Sequence, residues 1–185
     1  MTNPEEPAPI PYPTRAAPGQ IELGCGLHKN EGYFGVDRVA LEGVDLVHDL
    51  NVRPWPLEDE CGLAVIAHQT LEHLHDLIAT MTEIWRICQA DAWVEIVVPY
   101  YASAGAHGDP THCHTFSETS FLYFEPGFVE AFSDYGITHH FAIVDQAWRE
   151  RGNLWVLLRP IKTAAHLAAW EEQNAWRRHR DTLAR

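Results

Sequence analysis

The chain has 185 residues, with 13 Lys and Arg against 26 Asp and Glu, a formal charge of −13 with histidine neutral, and this is one domain's worth of sequence. At 46% hydrophobic and 11% aromatic it holds enough apolar material for a sizeable core and too much for a disordered acidic segment. The acidity argues against nucleic acid or an anionic membrane as partner, because both are held by clustered Lys and Arg. The charge is uneven: residues 1–148 carry a net −17, residues 149–185 a net +4.

Six of the twelve prolines fall within residues 4–18, so residues 1–19 read as an extended, polyproline-like arm. That segment has neither the positive start nor the apolar run of a secretory leader, and no stretch approaches the roughly 20 apolar residues that span a bilayer. Cys25, Cys61, Cys88 and Cys113 form no C-x-x-C pair, which points to neither a zinc knuckle nor a disulfide framework. A reduced, cytoplasmic setting is the expectation.

Gln20–Leu23 is a short apolar run ending in Gly24-Cys25-Gly26, the mark of a strand that stops at a tight turn. Tyr33–Val36 closed by Asp37, Val44–Val47 closed by His48-Asp49, and Leu63–Ala67 read as three more strands. All are apolar on both faces and rich in Val, Leu and Ile, the pattern of parallel strands covered by helices. Leu71, Leu74, Ile78, Met81, Trp85 and Cys88 recur at spacings of 3 and 4, which predicts a helix from about Gln69 to Gln89 with these residues facing the core. Trp93–Val98, closed by Pro99, is the next strand, and residues 100–127 read as a long His-rich loop or lid. A short helix is expected at 128–135, then an antiparallel pair, His139–Asp145 and Leu154–Leu158, joined by a turn at 149–153. Residues 163–185 form a C-terminal helical segment with Thr163 as N-cap. The body, residues 20–162, is therefore expected to be an α/β, Rossmann-like doubly wound, mostly parallel sheet ending in an antiparallel pair. Such a sheet binds ligands at its C-terminal strand ends.

Gly24-Cys25-Gly26, Asp37, Asp49 and His68-Gln69 each follow a predicted strand. The two glycines let the backbone approach a ligand closely. A dinucleotide site wants a third glycine and an acid about 20 residues on; here Lys29 takes that glycine's place and Asp37 comes 11 residues after Gly26. So little chain separates the first two strands that the usual crossover helix must be very short or replaced by a loop, which makes NAD less apt. What remains is a turn for a small polar ligand, an acid at 37 suited to two ribose hydroxyls, and an acid at 49 suited to a purine amino group.

The ordered set Ile21-Glu22-Leu23-Gly24-Cys25-Gly26, Gly35-Val36-Asp37, His48-Asp49-Leu50-Asn51, Leu71-Glu72-His73-Leu74, Glu83-Ile84-Trp85-Arg86-Ile87 and Val97-Val98-Pro99 resembles a class I S-adenosylmethionine-dependent methyltransferase. More narrowly it is similar to small bacterial methyltransferase-domain-11-like proteins. The likeness covers roughly residues 20–125. It implies that Glu22, Gly24, Cys25 and Gly26 hold the methionine end of S-adenosylmethionine, Asp37 the ribose and Asp49 the adenine. It also implies that Leu50 packs on the ring and that His68 and Gln69 lie close to the cofactor. The sequence departs from the pattern in the short Gly26–Asp37 segment and in Cys61-Gly62-Leu63, where the family often has phenylalanine and aspartate.

Methyl transfer is a displacement in which positioning supplies much of the rate, and a general base adds about 10² to 10⁴ when the acceptor must lose a proton. His107-Gly108-Asp109-Pro110-Thr111-His112-Cys113-His114 crowds candidates into eight residues. His112 or His107, oriented by Asp109, is the candidate base, with Tyr100, Tyr101, His114 and Phe116 as candidate substrate contacts. A competing reading has His112 and His114 bind a metal with His107 or Asp109; a third has these side chains stabilise the lid. His68, His73 and His75 fall near the same mouth. The favoured reading, without a metal, is O- or N-methylation of a small-molecule acceptor. The alternatives are a cofactor-binding protein without turnover and a metal-dependent enzyme built on His107–His114. Trp170, Trp176, Arg177, Arg178 and Arg180 are expected to dock against the acidic body, within the chain or in a homodimer.

Overall fold

The computed structural model describes residues 19–128, 135–149 and 152–175. Its strands are β1 (Gly19–Leu23), β2 (Phe34–Asp37), β3 (Leu46–Val47), β4 (Gly62–His68), β5 (Cys88–Pro99), β6 (His140–Arg149) and β7 (Asn153–Ile161). They form one sheet in the order β3-β2-β1-β4-β5-β7-β6. β1, β2, β3, β4 and β5 are mutually parallel, and β7 runs antiparallel to both β5 and β6. The chain winds outward from β1 to β3, then returns to β4 on β1's other side. The carboxyl ends of β1 and β4 therefore flank a switch point, where open α/β sheets bind ligands.

The expected strands are all present, most of them a residue or more longer than read. The expected helix over 69–89 is not one helix. Leu71–His73 is a single 3₁₀ turn, Leu74 is extended, and the helix α1 spans only Leu77–Ile87. Asp76 starts it: its side chain accepts the Ala79 N–H at 2.9 Å, satisfying one of the donors a helix start leaves open. Leu71 and Leu74 are buried in the same core as Met81, Ile84 and Ile87, so the 3-and-4 spacing is met by a strand-end turn followed by a helix. Cys88 already belongs to β5.

The core fills one face of the sheet. Along β5, Ala92, Val94, Ile96 and Val98 are fully buried, and across the ladder Val94 faces Leu158, Ile96 faces Val156 and Val98 faces Leu154. Met81, Ile84 and Ile87 of α1 close this cluster, each worth about 1.5–3 kcal/mol of burial. The opposite face is partly open, with Leu63 and Trp93 exposed and the Arg159 guanidinium 3.9 Å over the Trp93 ring. This face lacks crossover helices for a local reason: the β1–β2, β2–β3 and β3–β4 connections are loops, as the short Gly26–Asp37 segment implies for the first of them.

Residues 100–127 hold one helical turn, α2 (Gly105–Gly108), and a 3₁₀ segment at Ser120–Phe124. α3 (Ala164–Gln173) begins at Thr163, whose side chain accepts the His166 N–H at 3.1 Å. Trp170 donates from Nε1 to Glu125 at 3.3 Å, the docking expected of this residue. Trp176, Arg177, Arg178, Arg180 and most of the expected 128–135 helix lie outside the described residues, as does the arm before Gly19. No helix among the described residues is long and apolar enough to cross a membrane.

Candidate functional site: an acidic cavity at the strand ends

A cavity of about 690 Å³ opens beyond the carboxyl ends of the parallel strands, within the roughly 300–1,000 Å³ of small-molecule sites. Gly24, Asp37, Asp49, Leu50 and Gln69 line one part of it, and His73, Asp109, Pro110, Thr111 and Cys113 another.

Gly24 sits at φ +68°, and a Cβ there would fall 2.3 Å from Thr70 Oγ1. The Thr70 hydroxyl is fixed between the Leu23 and His68 carbonyls, 3.0 Å from each, so the turn exists because position 24 has no side chain. Gly26, at φ +56°, has open space where its Cβ would be. Its N–H donates to Asp37 Oδ2 at 2.9 Å, and the Val39 N–H donates to Oδ1 at 2.9 Å. Each oxygen of the carboxylate keeps a further lone pair. Asp49 takes both bonds from Asn51 on Oδ1; the Asn51 backbone N–H is the main cause that holds its pKa below the usual range. Gln69 is held in the left-handed region at φ 51°, a conformation that costs about 1–3 kcal/mol for a non-glycine residue and concentrates at functional sites.

Leu50 is braced from behind. Its carbonyl accepts the Trp55 Nε1–H at 3.0 Å, and the Trp55 N–H is held by Glu83 at 2.7 Å. Arg86 completes this support, donating to Glu83 and Asp59 and to the Leu57 and Trp55 carbonyls. Burial pushes the Glu83 pKa up, but the Arg86 and Trp55 hydrogen bonds outweigh it and hold the carboxyl below the usual range.

Other residues expected at the cofactor lie elsewhere. Glu22 is buried and accepts from Asn30 N and Nδ2 at 2.7 and 3.1 Å, fixing the loop that replaces the first crossover helix. Asp45 pins the same loop through Lys29 and Gly35. Cys25 is buried, with Sγ against Gly35. His68 points to Glu95, 2.9 Å away. Of the expected acceptor-side residues, Asp109 lines the cavity, whereas His107 is tied to the Tyr101 carbonyl at 2.7 Å. Tyr100 packs against Trp148 with ring centroids 3.5 Å apart, Phe116 stacks on Phe121 in the core, and neither Tyr101 nor His114 is in the cavity wall.

The lid folds back on the strand ends. Tyr100 and Phe116 form a parallel bridge, and the Cys113 N–H reaches the Glu72 carbonyl at 2.6 Å. This brings His112 beside His73, with ring centroids 4.7 Å apart, and both beside Glu72. Burial pushes the Glu72 carboxyl up to about 7 and, with His112 second, lowers the His73 pKa. His114 is not part of the group. The Glu72–His112 contact crosses 40 residues of chain, and no spacing rule predicts it.

No family model and no curated protein matches the chain. Solved structures match in fold: a SAM-dependent methyltransferase from Aquifex aeolicus at 10% identity over 78% of this chain and 82% of that one, with a TM-score of 0.51. A SAM-dependent methyltransferase from Thermotoga maritima matches at 14% identity over 80% and 84%, TM-score 0.51. An S-adenosylmethionine-dependent methyltransferase from Mesorhizobium loti matches at 13% identity over 76% and 90%, TM-score 0.50. With this strand order, these pairings and these neighbours, the chain has the fold of the class I S-adenosylmethionine-dependent methyltransferases.

Proposed function

We propose that the protein is an S-adenosylmethionine-dependent methyltransferase acting on oxygen or nitrogen of a small-molecule acceptor. The observation that carries this reading is the alignment of the Gly24 turn, Asp37, Asp49 and Leu50 along one cavity at the strand ends. The residues fit the cofactor: a tight turn at Gly24 that puts backbone without a side chain in the cavity wall, a carboxylate with spare acceptor capacity at Asp37, and an Oδ2 on Asp49 outside its local hydrogen bonds. Bound there, S-adenosylmethionine supplies an electrophilic methyl group on a sulfonium.

The chain's own residues bind, orient and exclude water. Asp37 takes the ribose diol, Asp49 the adenine amino group, and Leu50 packs against the base. Asp109 faces the acceptor end. Thr111 gives it a side-chain hydrogen bond at 2.7 Å and a backbone one at 2.8 Å, which hold its pKa below the usual range. It is therefore ionised at neutral pH, accepts the O–H or N–H of the acceptor, and takes its proton as the methyl transfers. His112 and His107, the bases expected from the sequence, are not in the cavity wall, whereas Asp109, expected to orient them, is, so the proton is assigned to Asp109 itself.

The test is methyl release from isotope-labelled S-adenosylmethionine over pools of hydroxyl, phenol and amine acceptors. Transfer is expected, with Asp109→Asn lowering kcat by about 10² to 10⁴ and leaving cofactor binding intact. Cofactor binding without transfer to any pool would instead favour a protein that has lost turnover.

A further inference from the structure

Glu72 is 0% exposed, and neither carboxylate oxygen has a hydrogen-bond partner among the described residues. A buried carboxylate needs a positive partner or a donor. The side chains around it offer neither. His112 Nδ1 lies 3.3 Å from the Ala106 carbonyl; a carbonyl only accepts, so this nitrogen carries a proton and the neutral ring presents a lone pair at Nε2. His73 Nδ1 lies 2.9 Å from Thr111 Oγ1, whose single hydrogen goes to Asp109 at 2.7 Å. The hydroxyl therefore accepts from His73, and that ring too is left with its lone pair at Nε2. One ligand atom from each of Glu72, His73 and His112 lies within 4.8 Å of the other two. With Glu72 ionised, three acceptors converge and none brings a hydrogen.

We infer that this cluster binds one divalent transition-metal ion, held by the Glu72 carboxylate and the Nε2 atoms of His73 and His112. Two imidazoles and a carboxylate suit zinc, cobalt or ferrous iron and are a poor set for magnesium or calcium, which take oxygen ligands. Bonds of about 2.0–2.2 Å place ligand atoms about 3.4 Å apart in a tetrahedral site, so the ligand atoms draw together by at most about 1.4 Å around the ion. The outer partners of an imidazole metal site are already in place: the Ala106 carbonyl behind His112, and the Thr111–Asp109 pair behind His73. The lid backbone locks the arrangement through the Cys113 N–H on the Glu72 carbonyl. The inference stands on this geometry and does not depend on methyl transfer.

The test uses the full chain without a histidine tag, dialysed against Zn²⁺ and then against metal-free buffer, with metal content read by mass spectrometry. Co²⁺ serves as a spectroscopic substitute. One ion per chain and visible ligand-field absorption with Co²⁺ are expected. Thr111→Val weakens Zn²⁺ binding about 10- to 100-fold by releasing His73, His112→Ala weakens it further, and the exposed His28→Ala changes nothing. Thermal melts confirm folding, and Thr111→Val, at an exposed position, keeps the test decisive where His112→Ala does not fold. No retained ion in the unaltered chain, or an ion held equally by Thr111→Val and His112→Ala, overturns the inference. S-adenosylhomocysteine binding on the same samples separates the two readings: no metal with binding kept defeats this inference alone, and metal without that binding defeats the methyltransferase reading alone.

Discussion

Gly24 and Gly26 look alike in sequence, yet a single methyl group does different things at each. At 24 it meets the Thr70 hydroxyl at 2.3 Å; at 26 it meets nothing within 4 Å. Gly26→Ala is therefore expected to cost about 1–2 kcal/mol through left-handed strain alone, and Gly24→Ala about 2–5 kcal/mol, because the clash with Thr70 adds to the same strain. Thermal melts compare them, and equal losses would contradict the close approach of Thr70. Asp37→Asn keeps the shape and removes the charge, so cofactor binding should weaken by about 1.5–3 kcal/mol, roughly 10- to 100-fold. Asp37 and Asp49 were legible in the sequence because each closes an apolar run at a strand end. The position of Glu22 was not, because its partner, Asn30, depends on the path of a loop that has no periodicity. Glu72 was visible only as part of a motif; its burial against His112 belongs to the folded lid.

At the scale of elements, the support behind Leu50 rests on one ion pair. Glu83 and Arg86 sit three residues apart on α1 with little side-chain exposure, 2.8 Å between Oε2 and Nη2. Arg86→Met leaves the Glu83 carboxylate and the Trp55 and Leu57 carbonyls without their donor and is expected to cost about 3–5 kcal/mol. Glu83 has a folded pKa below its ordinary value of about 4.5, so its contribution is complete above that pH and is lost as the pH falls through the lowered value. The melting-temperature gap between the unaltered chain and Glu83→Gln should therefore narrow on acidification below about pH 4.5. A gap that holds constant down to strong acid would show that the pair does not carry this stability. Asp76→Ala removes the α1 cap and should cost about 1 kcal/mol. The strands were readable from composition, but the start of α1 was not: residues 71–88 satisfy a helical period although 71–76 are a strand-end turn and its exit. Periodicity reports which side chains face the core, and two backbone paths can meet the same requirement.

At the scale of the molecule, short connections leave one sheet face without crossover helices while keeping the strand order that creates the switch point. The sheet needs only the parallel order to place Gly24, Asp37, Asp49 and Gln69 around one cavity, so the site survives the loss of the helices. The −17 net charge of residues 1–148 has a local counterpart in the cavity wall, where three aspartates, at 37, 49 and 109, stand against one arginine, Arg38. An acidic wall favours a cationic sulfonium over a phosphorylated ligand. Calorimetry of the full chain with S-adenosylmethionine and with S-adenosylhomocysteine tests this most directly. The account predicts one site per chain for both ligands, each weakened roughly 10- to 100-fold by Asp37→Asn. Binding of neither ligand, or binding indifferent to Asp37→Asn, would contradict it.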